Sequence, residues 1–104
     1  MKYAFVPDVR LGIPLPVLEV DWEDLSAAEQ ADILLQWEHI RGRIPNRIFE
    51  LERVIIDKQS RLDREDDFPA SCRLNSEIAE LASTINDLHL WFRVNQEMEQ
   101  KLHR

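Results

Sequence analysis

The stretch LNSEIAELASTINDLHLWFRVNQEMEQKL, residues 74–102, carries the longest unbroken helical periodicity in the chain. Leu74, Ile78, Leu81, Ile85, Leu88 and Phe92 follow one another at steps of four, three, four, three and four. That alternation is the a/d seam of a helix lying lengthwise on a partner helix, the pattern of a coiled coil. Beyond Phe92 the seam turns polar at Asn95 and Glu99, while Leu90, Trp91, Val94 and Met98 add an apolar flank. The buried face therefore rotates and widens toward the C-terminus, where two neighbours instead of one are needed to cover it. Asn86, His89, Arg93, Gln96 and Gln100 make a polar stripe beside it.

The partner is found upstream. A second helix is expected over about 45–64, burying Ile48, Leu51, Ile55 and Leu62, with Phe49, Val54 and Ile56 to either side. The segment Glu65-Asp-Asp-Phe-Pro69-Ala-Ser71 interrupts the pattern and offers several capping oxygens and a proline suited to a first turn. The two helices thus form an antiparallel hairpin, about 45–64 and 70–102. A shorter first helix is expected over about 26–40, because Ser26-Ala-Ala-Glu29 spells a capping box. It turns Ile33, Leu34, Trp37 and Ile40 inward, with Gly42 as its C-cap and Pro45 opening the next helix. A helix of about 30 residues spans roughly 45 Å against roughly 30 Å for one of about 20, so the last helix outreaches its partner. The overhang carries Trp91, Val94, Met98 and Leu102, to be covered by the first helix and the N-terminal arm or by a second copy.

Residues 1–24 read as an extended arm. Pro7, Pro14 and Pro16 remove backbone donors and push the residues before them toward extended geometry. Tyr3 to Val6 and Val17 to Val20 are β-prone and are able to pair. Draping over the helices is the preferred arrangement, since an isolated two-stranded hairpin is marginal in water. The whole is one all-α domain, residues 1–104.

Composition narrows the functional classes. With 44% hydrophobic and 32% charged residues the chain has the make-up of a soluble globular protein. It contains no run of about eighteen apolar residues and no basic-then-apolar leader, so neither a membrane span nor a secretory signal is expected, and the cytoplasm is the expected location. Two glycines exclude Gly-rich phosphate loops. The single cysteine, Cys72, excludes an internal disulfide and is expected to be a buried or half-buried small residue, not a nucleophile.

The net charge of −7 is unevenly spread. Between Leu11 and Ile40 stand seven acids and no Lys or Arg; from Arg41 to Arg64 stand seven bases against four acids. The simplest reading places an acidic first helix beside a basic second one, with Glu29, Asp32 or Glu38 neutralising Arg43, Arg47, Lys58 and Arg61. A nucleic-acid role, through that basic side or through an acidic segment acting as a mimic, ranks below it, given a pI near 4.9.

No catalytic, cofactor or metal set is read here. No Glu stands three residues before His39, His89 or His103, and Glu38 and His39 are adjacent on a helix and point apart. The leading expectation is a non-enzymatic protein-interaction or scaffold module acting through helix faces, self-associating as a homodimer. Its contact residues are Trp91, Val94 and Met98, with His89 and Arg93 as polar neighbours. The alternative from another class is a small-ligand binder or enzyme with a polar site at His89, Asn86 and Arg93 beside Asp87.

Overall fold

The computed structural model describes the backbone of residues 2–102 and the side chains of residues 2–94. Strands β1 (Tyr3–Asp8) and β2 (Ile13–Leu18) are followed by a 3-10 turn, Trp22–Asp24, and by helices α1 (Ala27–Arg41), α2 (Ile44–Asp63) and α3 (Phe68–Leu102). The molecule is a rod of 59 × 22 × 19 Å. Helices dominate it, as the periodicity requires, but a two-stranded sheet is present as well.

Local signals set the helix ends. The Ser26 hydroxyl accepts from the Glu29 N–H at 3.1 Å, and the Glu29 carboxylate accepts from the Ser26 N–H at 2.9 Å. Both halves of the capping box are therefore made. At the start of α3 the Asp67 carboxylate accepts from the Ala70 N–H at 3.0 Å, with Pro69 in the first turn, where its missing donor costs nothing.

The junction between α1 and α2 is where capping logic alone misleads. Gly42 caps α1, but at φ −62° and ψ −18° it stays in the right-handed helical region, as does Arg43. The chain consequently bends and continues. Ile33, Trp37, Ile40, Ile44, Ile48 and Leu51 are all buried, at helical steps that keep phase across the bend. Antiparallel to them runs α3, its N-terminal half packed along α2 and its C-terminal half reaching α1. Leu74 and Leu88 are buried along the expected seam, and Thr84 joins them because its hydroxyl is satisfied by the Glu80 carbonyl at 2.9 Å.

The arm corrects the expectation of draping: it pairs. Tyr3 stands opposite Leu18, Phe5 opposite Pro16, Val6 opposite Leu15 and Asp8 opposite Ile13. Two physical reasons favour the hairpin. It is not isolated, since Leu11 and Ile13 are 3% exposed within the core formed by Trp37, Ile44, Ile48 and Leu88. Nor do its prolines break the ladder. Glu19 donates to the Lys2 carbonyl at 2.8 Å, extending the ladder by one pair. That sets the bonded pairs at Ala4 with Val17, Val6 with Leu15 and Asp8 with Ile13. Pro7, Pro14 and Pro16 all fall at the intervening positions, whose N–H would point outward.

Gly12 closes the turn with φ +76°, a region disfavoured for residues bearing a Cβ. A Cβ there would also run into the Arg47 guanidinium, meeting its Cζ at 2.8 Å. Gly12→Ala is expected to destabilise by about 1–2 kcal/mol from the backbone alone. In an Arg47→Ala background only that part should remain, so a double-mutant cycle by urea denaturation is expected to show coupling. Additive losses would mean that Arg47 yields freely.

Candidate functional site

The charges do not meet as the sequence suggested. Because α1 and α2 follow one another end to end, Glu29 and Asp32 of α1 find their partners away from the bases of α2. Glu29 serves its own cap and meets Lys2 at 3.5 Å, while Asp32 accepts from the Tyr3 hydroxyl at 2.6 Å and from Gln36 at 2.8 Å. Lys58 pairs with Glu77 of α3 at 2.7 Å, and Arg47 pairs with Glu50 at 3.2 Å. Arg47 also donates from Nε to the Leu11 carbonyl at 2.9 Å, tying the hairpin turn to α2.

On the other side of that turn, Arg10 reaches α3 and donates to Glu80 at 3.0 Å, Asp87 at 2.8 Å and the Ser83 hydroxyl at 3.2 Å. The sheet is thus clamped between both long helices by two arginines, one on the turn and one on α2. Neither clamp was legible in the sequence, because each joins groups 36 to 77 positions apart.

The C-terminal half of α3 carries the expected contact residues. Trp91 is half-buried, its ring 5.7 Å from that of Trp37 and inclined at 61°. Phe92 lies beneath the Arg41 guanidinium, 4.1 Å from the ring centroid, and its carbonyl accepts from Arg41 Nε at 2.8 Å. The overhang is therefore covered over Trp91 and Phe92 by α1 of the same chain. Val94 is half-buried, His89 and Arg93 are exposed, and Met98 lies outside the described side chains. Asn86 is exposed too, and Asp87 pairs with Arg10 at 2.8 Å. Cys72, in the first turns of α3, is exposed, against the expectation of burial or half-burial.

A second apolar surface emerges on α2. Phe49 is 66% and Ile56 64% exposed, seven residues apart and therefore two turns along one line of the helix. Glu52 and Arg53 lie between them. The sequence placed both residues on the flanks of the seam; only the packing shows that among the described residues nothing covers them. Leu35 on α1 and Leu90 on α3 are likewise exposed.

Perturbed ionisation follows the ion pairs. The hydrogen bond from Lys58, then its charge, holds the Glu77 carboxyl below its ordinary 4.5, with Arg61 and Arg73 adding to the effect. A depressed folded pKa means that this contribution is complete above pH 4.5 and fades as pH falls through the lower folded value. Glu77→Gln is accordingly expected to lower stability modestly above pH 4.5, neutral pH included, and to converge on the parent at low pH, so that the acid side of its stability curve is flatter. Thermal melts of both proteins across that window check this, and parallel curves would contradict it. Among the described residues no group of three or more His, Cys, Asp or Glu is placed to hold a metal ion, and no helix is long and apolar enough to cross a membrane.

Comparison with protein-family models, curated proteins and solved structures finds no match for this chain.

Proposed function

We propose that this protein is an interaction module that acts through helix faces and self-associates, with no chemistry of its own. The observation that carries the reading is the Phe49–Ile56 line on α2: two large apolar side chains left in water while Ile48 and Leu51, their neighbours in sequence, are buried. Exposed apolar residues aligned at helical spacing suit the groove of a partner helix. At the far end of α3, exposed His89 and Arg93 beside half-buried Trp91 and Val94 extend the contact surface, with Met98 further along the same helix. In this reading the core of the rod sets the spacing of its contact points and does not take part in them.

The test is a photo-cross-linking amino acid placed in turn at positions 49, 56 and 57 in the native cell. Positions 49 and 56 should yield the same discrete adduct, and position 57, on the polar side, should not. A diffuse and equal pattern from all three positions would reject the helix face. Self-association is read separately, as a solution mass above the 12.3 kDa of one chain.

A further inference from the structure

The two edges of the hairpin are unequal. With the bonded pairs fixed at Ala4, Val6 and Asp8, the outward backbone groups belong to Tyr3, Phe5 and Pro7 on β1 and to Pro14, Pro16 and Leu18 on β2. Two of the three outward positions on β2 are proline, so that edge keeps one donor and offers no ladder to a further strand. The β1 edge keeps the N–H groups of Tyr3 and Phe5, and among the described residues neither these nor the carbonyls of the same two residues bond elsewhere in the chain. Natural sheets blunt their exposed edges; here one edge is blunted and the other is left open.

We infer that the outer edge of β1 pairs with β1 of a second copy, making a four-stranded antiparallel sheet across a two-fold axis. Centred on Ala4, the pairing sets Tyr3 of each copy opposite Phe5 of the other. Each copy donates the N–H groups of Tyr3 and Phe5 and accepts on their carbonyls, so the edge is complementary to itself. Beside these residues lies a cleft of about 420 Å³, lined by Tyr3, Ala4, Phe5, Asp32 and Gln36, with room for side chains of the incoming strand. Because Pro14 and Pro16 close the opposite edge, growth stops at two copies and no fibre forms. The inference rests on the self-association in the proposed function and gives it a surface distinct from the Phe49–Ile56 line, which stays free for another partner.

The experiment follows backbone amide exchange by NMR alongside solution mass as concentration rises. The expected result is a particle of twice 12.3 kDa, with the Tyr3 and Phe5 amides becoming protected in step with the mass while Val9, in the turn, stays unprotected. Two variants sharpen it. Tyr3→Phe and Tyr3→Pro both lose the hydroxyl bond to Asp32, but only the second loses the outward N–H. Tyr3→Phe should dimerise and Tyr3→Pro should not. A dimer with freely exchanging Tyr3 and Phe5 amides, or one formed equally by both variants, overturns the edge pairing and leaves helix-face association standing. A 12.3 kDa particle at every concentration overturns the edge pairing and the proposed self-association together.

Discussion

Trp37→Ala is expected to cost about 3–5 kcal/mol, a large share of the stability of a domain of this size. Trp37 is 1% exposed and lies where α1, α3 and the sheet converge, so its removal leaves a cavity that three elements cannot all close. It also deletes the edge-on contact with Trp91, and such aromatic pairs are worth about 0.5–1.5 kcal/mol beyond the area they bury. Against this stands one unfavourable feature of the native residue. Its indole Nε1 is buried without a hydrogen-bond partner among the described residues. An unmet buried donor costs about 1–3 kcal/mol, so Trp37→Phe, which removes the donor and keeps most of the ring, should lose far less than Trp37→Ala. Urea denaturation followed by circular dichroism compares the two. Equal losses would show that the indole N–H is satisfied in solution and contributes to the fold.

Leu88→Ala is the second large effect, expected at about 2–5 kcal/mol. Leu88 is fully buried where the hairpin residues Leu11 and Ile13 meet Ile44 and Ile48. The proper control lies two residues on: Leu90 is 49% exposed, and Leu90→Ala should stay within about 0.5 kcal/mol of the parent. A chain reading that counted only hydrophobicity would rank the two leucines together. Their separation in measured stability tests the rotation of α3 directly, since a different rotation would exchange the two outcomes.

The polar expectations divide along the same line as the apolar ones. Ser26 and Glu29 behave as their spacing demands, because both partners of a capping box lie within one turn. The charge segregation between residues 11–40 and 41–64 was equally visible, but its meaning was not. It acquired one only when Gly42 and Arg43 stayed helical and set the two segments end to end. The same bend carries α1 along α3, where Trp37 and Arg41 cover Trp91 and Phe92. A sharper reversal at Gly42 would have left those two residues to another molecule.

The amino-acid sequence by itself determined the helices, their caps and the seam of α3, because each depends on residues within about four positions of one another, where spacing fixes geometry. It also held the hairpin in latent form, since the alternate placement of Pro7, Pro14 and Pro16 suits one register. Only the tertiary structure decided that the arm pairs, that Arg10 reaches Glu80 and Asp87, and that Phe49 and Ile56 remain uncovered. Those outcomes turn on which of several competing partners a group meets once distant segments pack, and that competition is settled by burial in a shared core.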